Sequence, residues 1–291
     1  MIVEFLTALL LSLPLIGAYG IFAIGIVMIY RASRVLNLAH GAMAMVPAFL
    51  LYALGGAGVP LLFAFPLALA AGGLLGWIVE RVFVRRLRGE SLTAQTVGTV
   101  AALGILVAIA AKIWGTSSIP GVTIFPNGFI PVSRSVIYYG QLGLFGVMLA
   151  VTVTLFFLLM RTDLGLMMRG SAESPLAAAL MGVNPERMIS LAWVIGGTLA
   201  GLAGILLGAV TSLHPYTLSL AALPAFIAVL IGGLGSLPGA IIGAAIVGAV
   251  QGVVPVVGKL GDLQGGVELL LALVAIGAMV TRGRAIVGAE T

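Results

Sequence analysis

Residues Arg169–Asn184, with the sequence RGSAESPLAAALMGVN, form a short, mildly polar segment between two long apolar stretches. The chain is 61% hydrophobic and only 8% charged, so almost every other part of it is apolar enough for lipid. Average globular chains carry about 25% charged residues. Because polar groups are costly inside a bilayer, we expect this central segment to meet something in water.

The apolar stretches are continuous and long enough to cross a bilayer, which takes about 20 residues. The 291 residues therefore predict an all-α, polytopic helical membrane protein of eight or nine spans, folded as one transmembrane domain over 1–291. Pro47 and Pro224 lie inside the second and seventh spans, where we expect broken or re-entrant helices. The predicted spans are 5–30, 35–54, 60–83, 92–114, 136–160, 188–212, 217–235, 238–257 and 265–281.

The basic residues predict an orientation. If the 80–90 segment is cytoplasmic, only Lys112, Arg134 and Lys259 of the 14 lysines and arginines fall outside, so 11 lie inside. With nine spans the N-terminus lies outside, whereas a re-entrant 35–54 segment would leave eight spans and an inside N-terminus. The basic residues are few and sit between apolar runs, so they indicate orientation and not nucleic-acid binding.

The central polar segment has the signals of a short helix. Ser174 and Pro175 suit its start, Gly182 suits its end, and Asn184 begins the next element. We therefore expect a cytoplasmic helix within 171–183 that needs a partner surface, because so short a helix is marginal alone. The membrane interface, another loop and a separate subunit are all open as partners. The apolar side chains that this helix presents are Leu176, Leu180 and Met181.

The sequence lacks residues that several kinds of active site require. It has no cysteine, and no stretch fits the phosphate loop G-x-x-x-x-G-K-[ST]. A serine enzyme using Ser117 or Ser118 with His214 is an alternative for which the sequence gives no paired geometry. We expect no enzyme activity, no metal site and no cofactor in this chain, which would not hydrolyse ATP by itself.

Acidic residues are absent from the middle of the predicted spans, since Glu80, Asp163 and Glu268 all lie near span ends. Carriers coupled to protons or sodium usually keep an ionisable residue at mid-membrane. This pattern disfavours an ion-coupled secondary transporter or a channel, which stays as the alternative function because unwound backbone carbonyls could bind sodium.

A second polar motif, Asn37-Leu-Ala-His-Gly41, lies beside a predicted span. His40 could touch a solute, or Asn37 and His40 could instead satisfy backbone groups at a helix break. Glycines also interrupt the end of the seventh predicted span, at Gly232-Gly-Leu-Gly-Ser236. The candidate pathway residues are Asn37, His40, Gly41, Gly232, Gly233 and Ser236.

Three stretches together carry a family resemblance: the 37–41 motif, the 169–184 segment, and the glycine-rich run over 232–240. Their order and spacing resemble the permeases of ATP-binding-cassette importers for branched-chain amino acids, the leucine/isoleucine/valine type with its urea and amide relatives. The resemblance extends from about residue 10 to residue 281. The chain is more similar to the shorter of the two permeases that such systems pair.

The resemblance implies an importer in the bacterial cytoplasmic (inner) membrane that works by alternating access. Its partners would be a second permease, two cytoplasmic ATPases that bind ATP and Mg, membrane lipid, and a periplasmic or lipid-anchored solute-binding protein. The 171–183 helix would be the coupling helix that meets an ATPase, although Ser174 and Pro175 interrupt the family's acidic-alanine signature. The expected coupling residues are Glu173, Ala177, Leu180, Met181, Gly182 and Asn184.

Overall fold

A computed structural model describes residues 2–122, 124–126, 128–132, 135–257 and 266–287. Most of these residues are helical, and two small antiparallel strand pairs lie among them. The helices are α1 Ile2–Leu11, α2 Leu13–Ser33, α3 His40–Gly56, α4 Leu61–Val79, α5 Leu92–Trp114, α6 Tyr139–Arg161, α7 Asp163–Glu173, α8 Pro175–Leu180, α9 Pro185–Val210, α10 Pro215–Leu220, α11 Leu223–Gly232, α12 Leu237–Val257 and α13 Gly266–Val287. The strands are β1 Ile119–Pro120, β2 Phe129–Val132, β3 Ser135–Tyr138 and β4 Ser212–Leu213.

The all-α membrane fold predicted from the sequence is confirmed. Seven helical segments in the described residues are long and apolar enough to cross a membrane, counting α10 and α11 as one, and the 17-residue α3 is a shorter apolar helix. The predicted number of eight or nine spans is therefore approximate. The first predicted span differs, because the helix is interrupted at Ser12, just before Pro14, whose ring nitrogen has no N–H to donate.

Helix α9 is the centre of the packing, and glycine lets its neighbours approach it closely. A Cβ atom added at Gly76 of α4 would overlap the carbonyl oxygen of Trp193 in α9. A Cβ atom at Gly204 of α9 would overlap the carbonyl oxygen of Ala44 in α3. These contacts explain why glycines recur at helical spacing along α4 and α9, since small residues allow helix backbones to meet in lipid. The glycines are Gly72, Gly73 and Gly76 of α4 and Gly196, Gly197, Gly201, Gly204 and Gly208 of α9.

Helix α3 covers most of the predicted 35–54 segment, and its contacts give its direction relative to α9. Ala44 lies against Gly204, and Ala48 lies near Gly208, so α3 runs parallel to α9. Helix α4 runs antiparallel to α9, so α3 and α4 cross in opposite directions. Helix α3 is continuous through Pro47, so the break expected there is absent, and at 17 residues it is shorter than the helices that are long enough to cross a membrane.

The predicted break in the seventh span is confirmed. The segment is divided at Ala221–Ala222 into α10 and α11. Pro224 has no N–H, so the carbonyl of Leu220 cannot receive the i+4 hydrogen bond of a continuous helix. The first turn of α3 packs here, where a Cβ atom at Gly41 would overlap the carbonyl oxygen of Ser219.

We predict that Gly76→Ala destabilises the protein, because the added methyl group must push α4 away from the backbone of α9. Overpacking of this kind typically costs about 1–3 kcal/mol. Gly104→Ala in α5 is the matched control, since an added Cβ there meets nothing within 4 Å. Thermal unfolding of the purified protein in detergent should show a lower midpoint for Gly76→Ala only. Equal midpoints for the two variants would contradict the packing that we describe.

Candidate functional site

The central polar segment folds into a short helix with caps at both sides. The Ser174 hydroxyl accepts a hydrogen bond from the backbone N–H of Ala177 at 3.2 Å, which begins α8. Gly182 has a φ of +81°, a left-handed conformation that suits glycine and ends the helical turn. Asn184 then caps α9 by accepting from the N–H of Arg187 at 3.1 Å.

Helix α8 is shorter than the predicted 171–183 segment. Residues 171–173 are the end of α7, and Ser174 separates the two helices because its backbone is extended, with φ −144° and ψ 95°. An extended residue cannot continue a helix, but it is the usual geometry of an N-cap. Helix α8 itself covers only Pro175–Leu180.

The outer face of α8 is apolar and uncovered. Leu180 and Met181 are 80% and 84% exposed, which makes them the two most exposed large apolar side chains among the described residues. Leu176 is 73% exposed, and only Ala178 of this helix is buried. A six-residue helix has little stability of its own, so this face requires a partner surface.

A cluster of charged side chains around the buried Glu80, which no sequence motif had singled out, packs beside the start of α9. The Glu80 side chain is 0% exposed and sits where α4 widens into a π-helical turn over Glu80–Val84. Its carboxylate accepts from Arg85 Nε at 3.0 Å and from an Arg88 guanidinium nitrogen at 2.7 Å. It also accepts from the Ser190 hydroxyl of α9 at 3.0 Å. Both carboxylate oxygens are thus satisfied by partners from two parts of the chain.

The same arginines reach the first turn of α9. Arg85 and Arg88 lie 3.6 Å and 3.3 Å from carboxylate oxygens of Glu186, and Arg85 donates to Ser190 at 2.6 Å. We call Glu80, Arg85, Arg88, Glu186 and Ser190 the Glu80 cluster. The cluster connects the end of α4 to the start of α9, where Glu186 lies two residues beyond the cap Asn184. The available sequence signal was an acid followed by two arginines at positions i+5 and i+8, beside an apolar span.

Asn37 stabilises the irregular chain that leads into α3. Its side-chain oxygen accepts from the N–H of Ala39 at 3.1 Å, and its amide nitrogen lies 3.2 Å from the sulfur of Met43. Thr99 of α5 accepts from the N–H of Leu38 at 3.0 Å. These side chains supply hydrogen bonds that the interrupted helix does not, which is the structural role that the sequence allowed for Asn37.

His40 lies in the core between α2 and α3. It is fully buried, its ring meets Phe22 edge-on with centroids 5.9 Å apart, and it fills the space over Gly25. The other candidate pathway residues lie on a separate turn. Ser236 accepts from the N–H of Gly239 at 3.0 Å, and Gly232 packs against the backbone of Gly239.

The structure does not bring the two groups of candidate pathway residues together. Gly41 meets the α10–α11 break, whereas Gly232 and Gly233 end α11. The ten residues of α11, about 15 Å of helix, separate the two places. Whether either group contacts a solute stays a prediction.

The serine and histidine of the enzyme alternative have structural partners. Ser118 donates to the hydroxyl of Ser212 at 2.8 Å, beside the short β1–β4 pair. His214 caps α10 by accepting from the N–H of Thr217 at 3.4 Å. Among the residues that the structure describes, no group of three or more His, Asp or Glu side chains could hold a metal ion.

We predict that Glu80→Gln lowers the thermal stability of the protein. The substitution leaves Arg85 and Arg88 without a buried counter-charge, and loss of one partner from a buried ion pair costs up to about 3–5 kcal/mol. The exposure of these arginines, 22% and 27%, places the expected loss at the lower end of that range. Glu90→Gln on the nearby exposed turn is the control. Identical unfolding midpoints for the two variants would show that the cluster contributes nothing.

The sequence is similar to those of known transport permeases. Residues 8–279 match the family model described as branched-chain amino acid transport system, permease component. The chain is 30% identical over 269 residues to the permease BraD of Pseudomonas aeruginosa, covering 86% of each chain. It is 29% identical over 269 residues to LivH of Escherichia coli K12, covering 85% of each. Among solved structures, PsaBC from Streptococcus pneumoniae in complex with Fab aligns over 97% of this chain with a TM-score of 0.49 and 18% identity. The chain belongs to the family of branched-chain amino acid transport permeases.

Proposed function

We propose that this chain forms half of the translocation pathway of an ATP-driven importer for branched-chain or related amino acids. The observation that carries the proposal is α8, a capped helix with an uncovered apolar face in a chain of a permease family. As in its relatives, the chain is a multi-pass protein of the cytoplasmic (inner) membrane. The driving energy would come from separate ATPase subunits that bind ATP and Mg, because this sequence has no phosphate loop.

The coupling surface would consist of α8 and its two flanking turns. Full burial of an exposed leucine or methionine in an ATPase groove contributes about 1.5–3 kcal/mol, which is enough to hold so short a helix in place. Gly182 allows the chain to turn sharply out of α8, and Asn184 fixes where α9 begins. The proposed contact residues are Glu173, Ala177, Leu180, Met181, Gly182 and Asn184.

The packing supplies a path from α8 into the membrane. Helix α8 is followed directly by α9, whose first turns are held to the end of α4 by the Glu80 cluster. Helix α9 also packs closely on α2, α3 and α4 through its glycines. A displacement of α8 would therefore move several spans together, as alternating access requires.

The proposal includes a second permease and a solute-binding protein, either periplasmic or lipid-anchored. Helix α5 offers a surface for lipid or for the second permease, because Val97 and Ile113 on it are 60% and 62% exposed. Ion-coupled transport is disfavoured by the position of Glu80. Carriers coupled to protons or sodium usually keep an ionisable residue at mid-membrane, whereas this buried acid lies at a helix end and is ion-paired with two arginines.

We predict that Leu180→Asp uncouples ATP hydrolysis from transport while leaving the permease folded, because α8 would then present a charge to an apolar groove. Gly182→Val should act similarly, since valine disfavours a φ of +81°. Uptake of radiolabelled leucine and ATP hydrolysis would be measured together in vesicles containing the whole complex. We expect at least a tenfold fall in leucine transported per ATP.

Leu92→Asp is the control for this experiment, because Leu92 is also exposed but begins α5 and not the coupling segment. Normal transport by Leu180→Asp and Gly182→Val would remove α8 as the coupling element. Absence of ATP-dependent uptake by the unaltered complex would remove the proposed function itself.

A further inference from the structure

An uncharged chamber of about 630 Å³ lies beside the α10–α11 break. Its walls come from α2, the end of α9, both halves of the broken helix, α12 and α13. The volume falls within the range of about 300–1,000 Å³ that is usual for small-molecule sites. Six of the residues that line this chamber define its position: Tyr19, Thr217, Leu220, Ala221, Leu223 and Gln251.

The chamber lies in the half of the protein away from α8. Tyr19 precedes the arginine-bearing end of α2 at Ser33 by 14 residues, which is about 21 Å of helix. Thr211 and Ser212, at the other end of α9 from the Glu80 cluster, form part of its wall. A solute arriving from the side opposite the ATPases would meet this chamber before the arginine-rich end.

The lining combines apolar walls with neutral polar groups. Leucine, isoleucine and proline side chains form most of the surface, and none of the residues described there is Asp, Glu, Lys, Arg or His. The Tyr19 hydroxyl donates to the side-chain oxygen of Gln251, which orients the amide of Gln251 within the lining. Thr217 adds a hydroxyl group at the exposed rim.

The break itself supplies a backbone acceptor. Because Pro224 cannot donate, the carbonyl of Leu220 lacks the helical i+4 partner at the point where Leu220, Ala221 and Pro224 all line the chamber. Interrupted membrane helices are tolerated where they line a cavity, and their exposed backbone groups commonly hold a charged part of the solute.

We propose that this chamber holds the migrating solute, and that it takes a zwitterionic amino acid with an uncharged aliphatic side chain. The carbonyl of Leu220 faces the ammonium group, the Gln251 amide and the Thr217 hydroxyl donate to the carboxylate, and the apolar walls take the side chain. Both charges of the solute are met by neutral dipoles, so release needs no strong ion pair to break. This inference rests on the proposed function and assigns the solute site within it.

The test changes the size of the chamber and measures selectivity. Ala221→Phe fills space at the break, whereas Leu223→Ala opens it. The complete complex would be reconstituted in vesicles with its second permease, ATPases and binding protein, and ATP-driven uptake of leucine and of alanine would be compared. We expect Ala221→Phe to lower the leucine-to-alanine uptake ratio at least fivefold, because leucine has the bulkier side chain. Leu223→Ala should lower it less, by loss of apolar contact.

Ala101→Phe is the matched control, since Ala101 is exposed on α5 and does not line the chamber. An unchanged ratio in both chamber variants, or an equal loss of both substrates, would overturn the assignment. If the unaltered complex takes up neither amino acid, the proposed function fails first, so the two failures are distinguishable.

A second measurement covers the case in which Ala221→Phe does not assemble. The chain has no cysteine, so Thr217→Cys introduces its only thiol at the chamber rim. In the detergent-solubilised complex, millimolar leucine should slow maleimide labelling of that thiol at least threefold, whereas glutamate should not. Ser117→Cys, on the neighbouring exposed loop, is the control. Equal labelling rates with and without leucine would overturn the assignment.

Discussion

The close approach of α9 to its neighbours is the constraint on which the rest of the structure depends. Lipid provides no hydrophobic force between apolar helices, so they associate through van der Waals packing and hydrogen bonds. Glycines on α9 and α4 bring backbone against backbone, with Trp193 fully buried beside Gly76. A packed core of this kind resists gradual deformation. Motion is therefore more readily accommodated as a shift of α9 with the helices attached to it than as bending within the bundle.

At the end of the bundle beyond the glycine contacts, the Glu80 cluster holds α4 and α9 together. Two carboxylates and two guanidinium groups there are close to electrically balanced, and Ser190 completes the hydrogen bonding. A buried carboxylate at the end of a span would be costly without such partners. Placed between α4 and the first turns of α9, the cluster makes the segment after α8 part of the bundle. A force applied at α8 then acts on more than one helix.

Features that depend on neighbouring residues could be predicted from the sequence, whereas contacts between residues far apart in the chain could not. Ser174, Gly182 and Asn184 determine their own turns through side-chain caps and glycine geometry, so their positions could be predicted from neighbouring residues. The break before Pro224 was predictable for the same reason, because proline removes a donor wherever it lies. The partners of Glu80 were not, since Ser190 is 110 residues away and only tertiary packing brings it near. Because such distant contacts cannot be read from the sequence, we predicted one group of pathway residues from the 37–41 motif and the 232–236 run, which the structure separates by the length of α11.

The end of the protein near α8 carries ion pairs, whereas the chamber at the other end is lined by neutral groups. Ion pairs and an exposed apolar helix face lie at the end that we propose meets the ATPases, where rigidity and a partner surface would matter. The chamber beside the α10–α11 break lies toward the other end and contains only neutral groups among its described lining. A fixed charge there would hold an amino acid strongly and slow its release, because each unit of charge pairing in a low-dielectric site adds several kcal/mol. Neutral dipoles at an interrupted helix bind more weakly, and weak binding would suit the proposed solute site, which would fill and empty in every cycle.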